Sequence, residues 1–187
     1  MQFEFLSAVV ALLDEAAIPH MLAGSMASTF HGEPRMTRDI DMVIDATPES
    51  IGRFVASLDR ARYYIDDAAD AVRRRGMCNV IDTETGWKVD LIVRKERPFS
   101  REEFSRRQPA VVGGVGLFVA TAEDTVLAKL EWRAQSDSER QFRDVVAIIS
   151  AQDLDDDYLR YWAGELKITA SLDEAMTAAN DRKGNAP

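Results

Sequence analysis

Apolar residues at the start of the chain recur three and four positions apart, which predicts an amphipathic helix that Pro19 ends. A short apolar stretch follows and stops at Gly24. Ser25 is a good N-cap for a brief second helix, and Gly32 closes it. Residues 39–45 then alternate polar and apolar at first and include β-branched residues, which predicts a strand. Helix and strand signals therefore alternate early in the chain.

The clearest helix start is Thr47-Pro48-Glu49, with a capping residue, a proline at the first helical position and an acidic residue in the first turn. We expect this helix to run to about residue 60. Residues 66–76 predict another short helix that ends at Gly76.

Two hairpins are predicted in the middle of the chain. Residues 77–82 and 87–93 are apolar stretches on either side of the turn sequence TETG. A second hairpin turns at Gly113-Gly114. Between the hairpins, Ser100 and Glu103 have the spacing of a capping box, which predicts a short helix.

From Thr121 onward the pattern is helical. We therefore predict an α/β (α+β) protein with an α/β core over residues 1–120, a helical C-terminal part over residues 121–180, and a disordered tail over residues 181–187.

Length and composition fit a soluble globular protein: 187 residues, 46% hydrophobic and 29% charged. No apolar run approaches the roughly 20 residues that span a membrane, so no membrane contact is expected. The acidic N-terminal segment does not resemble a signal peptide, and the single cysteine, Cys78, fits a reducing cytoplasm. Two isolated histidines give no zinc-type cluster.

The net charge of −9 argues against a global polyanion-binding surface. Two local basic runs stand out: residues 73–75, and residues 94–107 with six basic and three acidic residues. We favour solvated surface for both runs. The alternative is a local site for phosphate or RNA.

Three carboxylates are candidates for chemistry. Asp39 and Asp41 are two apart on a strand, so they face the same way while Ile40 faces the core. Paired carboxylates repel unless a cation separates them, and oxygen ligands suit Mg²⁺. Asp90 lies in the middle of a strand among apolar neighbours, so a role in solubility does not explain its position. These three residues form the predicted metal site.

Gly24 and Ser25 form a second candidate site, which is suited to phosphate. Gly24 permits close approach of the backbone to a ligand, and a helix that begins at Ser25 presents free N–H groups to a phosphate. Carboxylates for a metal together with a helix start for phosphate are what phosphoryl-type transfer requires.

The spacing Gly24-Ser25, thirteen residues, then Asp39-Ile40-Asp41 resembles the signature of the nucleotidyltransferase superfamily with the DNA polymerase β-type fold. Within it, "RMTRDID" is similar to the R-x-T-x-D-x-D form of the AbiEii-like toxin nucleotidyltransferases. Asp124, Lys129 and Asp144 resemble that group's helical lysine and R-D motif. The resemblance covers about residues 5–150.

The resemblance implies a mixed sheet flanked by helices, and Mg²⁺-dependent transfer of a nucleoside monophosphate from an NTP, such as ATP, to a hydroxyl of tRNA or protein. It also implies a toxin with an antitoxin partner. Asp39, Asp41 and Asp90 would bind Mg²⁺, and Asp90 would also help to deprotonate the acceptor. The remaining implied residues are Gly24, Ser25, Arg35 and Arg38 for the NTP phosphates, Lys129 as a catalytic phosphate contact, and Asp144 to orient Lys129 or the acceptor.

Other interpretations stay open. The arginines and Lys129 are equally explained as solvated side chains, and Asp144 as a surface ion pair with Arg143. A non-catalytic binding module with the same fold is the alternative function. Modification of a small molecule such as an antibiotic is a third interpretation within the enzyme class.

Overall fold

The computed structural model describes residues 2–37, 39–136 and 138–184. Helices and strands alternate until residue 120, after which the chain is helical. The helices are α1 (Gln2–Glu15), α2 (Gly24–His31), α3 (Pro48–Ser57), α4 (Ala68–Arg74), α5 (Pro98–Ser105), α6 (Ala122–Ser136), α7 (Glu139–Ala151), α8 (Asp156–Glu165) and α9 (Thr169–Gly184). The strands are β1 (His20–Leu22), β2 (Asp39–Ile44), β3 (Tyr63–Ile65), β4 (Met77–Asp82), β5 (Lys88–Val93), β6 (Gln108–Val112) and β7 (Val115–Val119).

The strands form one mixed sheet in the order β3-β4-β5-β2-β1-β7-β6. β2 runs parallel to β5 and antiparallel to β1, while β4 and β5 are antiparallel. The prediction of a mixed α/β sheet accompanied by helices is confirmed. The order places β2, β5 and β4 side by side, and these strands carry most of the polar residues discussed below.

The chain divides into two compact units. Unit 1 comprises Met1–Ala23 and Thr37–Ala120, and unit 2 comprises Gly24–Met36 and Thr121–Pro187. The sequence assigned residues 24–36 to the α/β core, whereas this division groups them with the C-terminal helices. Residues 181–184, expected to be disordered, belong to α9, and residues 185–187 lie outside the described part of the chain.

The core of unit 1 lies against one face of the central strands. Ile40, Met42 and Ile44 of β2 are fully buried, and they alternate with the more exposed Asp39, Asp41 and Val43. Because side chains alternate across a strand, burial of one face fixes the register and leaves the other face for polar residues.

Unit 2 is a helical core to which α2 contributes. Its fully buried residues include Leu127 of α6, Ile148 of α7 and Leu172 of α9. Gly32 ends α2 at a point where an added Cβ would lie 3.2 Å from Ile148. The close packing of α2 against α7 therefore favours glycine there, since a Cβ would push Ile148 away by a few tenths of an ångström.

The local signals gave mixed results. Thr47 and Ser50 form a reciprocal capping box and Pro48 opens α3, as predicted, although the helix ends at Ser57 rather than near residue 60. The expected Ser100 cap is wrong, because α5 begins at Pro98. Ser100 lies within the helix and its hydroxyl accepts a hydrogen bond from Arg97 Nε.

Both predicted hairpins are present. The β4–β5 turn contains Gly86 at φ 74°, and the β6–β7 turn contains Gly113 at φ 58° and Gly114 at φ 85°. All three residues adopt the left-handed conformation that favours glycine. β3, which has only three residues, was not predicted.

Several arginines of the two basic runs are paired within unit 1. Each run supplies arginines to ion pairs with nearby carboxylates, and Arg107 stacks on Phe104. This pairing supports the interpretation of both runs as surface charge. The pairs are Arg73–Asp70, Arg74–Asp70, Arg75–Glu96, Arg94–Asp45, Arg94–Glu96 and Arg101–Glu96. Within the described ranges, no helix is both long enough and apolar enough to cross a bilayer.

Candidate active site

The three predicted carboxylates lie on one face of the sheet in unit 1. β2 and β5 pair in parallel, with Asp41 opposite Asp90 and Asp39 opposite Lys88. Partners in register project from the same face, so the polar face of β2 continues directly onto β5. Exposure falls across this group: the Asp39 side chain is 62% exposed, Asp41 is half-buried, and Asp90 is 7% exposed.

Lys88 lies between two of these carboxylates. Its Nζ is 3.0 Å from Asp90 Oδ2 and 3.6 Å from Asp39 Oδ1. The hydrogen bond to Asp90 raises the pKa of Lys88 above its ordinary value, although partial burial opposes this effect. Lys88 was not identified from the sequence. The available signal was its position two residues before Asp90, which puts both side chains on one face.

One oxygen of this cluster has no partner. Asp90 Oδ1 is buried and accepts no hydrogen bond from the described residues. A buried acceptor without a partner is costly, so such atoms commonly mark a position that a ligand fills. The unpaired oxygen therefore fits a site that is completed by a bound group.

The donor set fits a magnesium site that is only partly supplied by protein. Among the described residues, no group of three or more His, Cys, Asp or Glu side chains could hold a metal ion by itself. Mg²⁺ is usually bound by one or two carboxylates, with water and substrate phosphates as the other ligands. Asp41 and Asp90, adjacent and in register, satisfy that smaller requirement.

Unit 2 carries the predicted phosphate-binding start of α2. The helix begins at Gly24, one residue before the expected Ser25 cap, and Gly24 has a φ of 57°. This left-handed conformation favours glycine. The Ser28 hydroxyl donates to the Gly24 carbonyl at 2.8 Å, which fixes the first turn.

A charged network within unit 2 joins four predicted residues. Arg35 donates from Nε to Asp144 Oδ1 at 2.9 Å and from Nη2 to Asp144 Oδ2 at 2.8 Å. The same Nη2 lies 2.8 Å from Ser25 Oγ. Lys129 Nζ donates to Asp144 Oδ2 at 2.9 Å and to Gln141 Oε1 at 2.6 Å. Gln141 had no sequence signal, because only the packing of α6 against α7 reveals it.

The Asp144 carboxyl is held in its ionised form. Burial raises its pKa, but the hydrogen bonds from Arg35 and Lys129 outweigh burial, so the pKa lies below the ordinary 3.8. The predicted surface pair of Asp144 with Arg143 is not what the structure shows, since Asp144 is 9% exposed and bonds to Arg35 and Lys129.

A cleft of about 290 Å³ in unit 2 borders this network. Arg35 and Asp144 form part of its wall, and Arg140 and Arg143 of α7 add positive charge. The cleft is also lined by Ser28, Glu33, Pro34 and Ala147. Arg38, predicted to bind nucleotide, lies outside the described residues.

Comparison with solved structures identifies the fold. An antigenic nucleotidyltransferase-like protein from Paracoccidioides brasiliensis aligns with a TM-score of 0.58 and 15% identity over 95% of this chain and 93% of that one. ANT(2'')-Ia in complex with adenylyl-2''-tobramycin aligns with a TM-score of 0.62 and 13% identity over 89% of this chain and 97% of that one. The lincosamide antibiotic adenylyltransferase LnuA, lincomycin-bound, aligns with a TM-score of 0.55 and 13% identity over 79% of this chain and 96% of that one.

These similarities establish a nucleotidyltransferase fold, as the sequence predicted. No family model matches the chain, and no curated protein matches it. The assignment to the AbiEii-like group stays a prediction.

Proposed function

We propose that this chain is a nucleotidyltransferase that moves a nucleoside monophosphate from an NTP to a hydroxyl acceptor. The observation that carries the proposal is the polar face of β2 and β5, where Asp39, Asp41 and Asp90 share one side of the sheet. The unpartnered Asp90 Oδ1 supports it, because a buried carboxylate oxygen without a donor is poised for a ligand.

Asp39, Asp41 and Asp90 would hold Mg²⁺ together with the phosphates of the bound NTP. When bound, Mg²⁺ would stabilise the charge that develops on the transferred phosphoryl group. The protein's own contribution at this face is to fix the acceptor beside Asp90, whose carboxylate would help to deprotonate the hydroxyl. Lys88 would balance the negative charge of the cluster while no substrate is bound.

Unit 2 carries the groups predicted to receive phosphate. Ser25 and the first N–H groups of α2 are suited to the β- and γ-phosphates of an NTP, and Arg35 would add a guanidinium suited to them. We propose that Asp144 is a positioning residue, because it holds Arg35 through two parallel hydrogen bonds. Lys129 was expected to touch the phosphates, but its ammonium bonds to Asp144 and Gln141. We therefore propose that it acts through Asp144.

The acceptor is the finer part of the proposal. The resemblance to AbiEii-like toxins points to a hydroxyl of tRNA or protein, with an antitoxin as partner. The structural neighbours ANT(2'')-Ia and LnuA point instead to an antibiotic-sized molecule.

The test is to supply each α-labelled NTP with Mg²⁺ and to offer tRNA, a protein extract, an aminoglycoside and a lincosamide as separate acceptors. We expect label in one acceptor class with the wild-type chain and none with Asp41→Ala. Asp157→Ala, a change of the same kind at an exposed position of α8, is the matched control and should label normally. Equal labelling by wild type and Asp41→Ala would contradict the proposal.

The second candidate is a non-catalytic module that retains the fold. The observation in its favour is that Lys88 already pairs with Asp90 and Asp39, as a lysine can in a site that needs no metal. Calorimetry separates the two functions. The catalytic proposal expects heat on titration of Mg²⁺ with a non-hydrolysable NTP, whereas the binding-module alternative expects none at any ligand concentration.

A further inference from the structure

A residue that the sequence did not single out adjoins the carboxylate face. Asn79 lies on β4, the neighbour of β5, and is the direct register partner of Asp90. Asp41 is the register partner of Asp90 on the other side. The three side chains therefore form one row across three adjacent strands, on a single face of the sheet.

The orientation of the Asn79 amide is set by Asp66. Asp66 Oδ1 accepts a hydrogen bond from the Asn79 backbone N–H at 3.0 Å, and Asp66 Oδ2 accepts one from Asn79 Nδ2 at 3.5 Å. A flipped amide would bring its oxygen against the carboxylate and repel it. The hydrogen-bond network therefore assigns the NH₂ group to the Asp66 side and leaves Oδ1 for another partner.

That other partner is missing. Asn79 Oδ1 is buried and accepts no hydrogen bond within the described part of the chain, and the same holds for Asp90 Oδ1. Two buried oxygen acceptors in register on neighbouring strands have no donor between them. Lys88 does not meet this need, because its ammonium bonds to the other oxygen, Asp90 Oδ2.

A divalent cation satisfies both oxygens at once. Hard cations accept asparagine carbonyl oxygens as well as carboxylates, and a neutral amide ligand adds no repulsion to a site that already holds several negative charges. The amide also supplies an oxygen donor that a group built from acidic residues alone lacks here. A hydrogen-bond donor from the substrate would satisfy only one acceptor per proton.

We propose that the side-chain carbonyl of Asn79, together with Asp90 Oδ1, is a ligand of the divalent cation at this site. The inference rests on the proposed function, since it concerns the same site, and it assigns Asn79 as a cation-binding residue. Asp66 is then a positioning residue, which holds the amide with its oxygen available.

The experiment measures Mn²⁺ binding by the intact chain, with the electron paramagnetic resonance signal of free Mn²⁺ as readout and no nucleotide present. Asn79→Leu, which removes the oxygen, should weaken binding about tenfold or more. Asn79→Asp, which keeps an oxygen at the same place, should retain more affinity than Asn79→Leu. Met77→Leu, on the same strand and face, is the matched control and should bind as wild type. Thermal unfolding of each variant verifies that it is folded.

The outcomes separate this inference from the proposed function. Unchanged Mn²⁺ affinity in both Asn79 variants, with nucleotidyl transfer intact in the wild type, overturns the inference alone. The same result with a raised KM for the acceptor in Asn79→Leu identifies a hydrogen bond to substrate and also overturns it. Affinity that changes as expected in a chain that labels no acceptor supports the inference and counts against the proposed function.

Discussion

Asp144 in unit 2 and Asp90 in unit 1 are both nearly buried, at 9% and 7% exposure, but they differ in how their oxygens are satisfied. Both oxygens of Asp144 accept hydrogen bonds from Arg35, and Lys129 adds a third donor. Asp90 receives Lys88 on one oxygen, and among residues 2–37, 39–136 and 138–184 the other oxygen has no donor. Both oxygens of Asp144 are therefore hydrogen-bonded without a ligand, whereas Asp90 keeps one oxygen that a ligand could contact.

This difference separates two roles. A buried charge that is fully paired within its own unit contributes to structure and to the position of its partners. A buried charged group with an oxygen that accepts no hydrogen bond destabilises the folded chain, and a ligand that binds this oxygen can offset the loss. We therefore expect substitutions in unit 2 to change stability and substitutions on the unit 1 face to change ligand binding.

The largest effect should come from Asp144→Ala, which removes the carboxylate that pairs with the buried Lys129 and with Arg35. Loss of one partner from a buried pair costs about 3–5 kcal/mol in unfolding free energy. Urea unfolding followed by tryptophan fluorescence in a Trp87→Phe background reports on unit 2, because Trp132 and Trp162 both lie there. Asp157→Ala should leave the midpoint unchanged. A loss below about 1 kcal/mol would place Asp144 among ordinary surface charges.

The next largest effect is the stability regained when Lys129 is replaced together with Asp144. Lys129→Met combined with Asp144→Ala removes both members of the buried pair, whereas Arg35 loses its partner in the single and the double Asp144 variants alike. The double variant should be more stable than the sum of the single effects predicts, with a coupling energy of between about 0.5 and 3 kcal/mol. The same urea titrations provide the double-mutant cycle. Strict additivity would show that the two side chains do not depend on each other.

A smaller effect should appear in the pH dependence of stability. The pKa of Asp144 is lower in the folded chain than its ordinary 3.8, so the unfolded state binds more protons in that range. The contribution is complete above the ordinary value and is lost as pH falls through the folded-state pKa. Wild type should therefore exceed Asp144→Asn in stability at pH 7, and the gap should close in acid. A gap that does not narrow as the pH falls below 3.8 would be inconsistent with this assignment.

The smallest expected change in unfolding free energy is for a substitution on the carboxylate face of unit 1. Asp41→Asn removes a carboxylate that is the register partner of Asp90 on the same face, so it relieves repulsion in the unliganded chain. Its unfolding free energy should equal or exceed that of wild type, within about 1 kcal/mol. Fluorescence of Trp87 in a Trp132→Phe, Trp162→Phe background reports on unit 1. A large loss of stability would show that Asp41 is structural.

The sequence predicted the parts of this molecule that depend on local chemistry. Thr47 and Pro48 fix a helix start from four neighbouring residues, and Gly113 and Gly114 fix a turn. The common face of Asp39 and Asp41 follows from strand alternation alone. Arg97 and Pro98 were missed as the start of α5 because Ser100 offered an equally good local cap.

What the sequence could not predict depends on strand register and on packing between distant segments. Asn79 becomes relevant only when β4 pairs with β5 so that it faces Asp90. Arg35 and Asp144 are 109 positions apart, and no local pattern indicates that they bond. Residues 24–36 carry signals of a loop and a short helix, but their grouping with the C-terminal helices is a tertiary property.

Cys78, the neighbour of Asn79 on β4, is a natural reporter that needs no introduced residue. Cys78 faces the core at 1% exposure, and burial, with Asp66 and Asp90 nearby, raises its pKa to about 12. The folded thiol is therefore shielded from alkylating reagents, and modification requires opening of the strand that carries Asn79. Because the chain has one cysteine, the rate of alkylation measures how often this strand detaches.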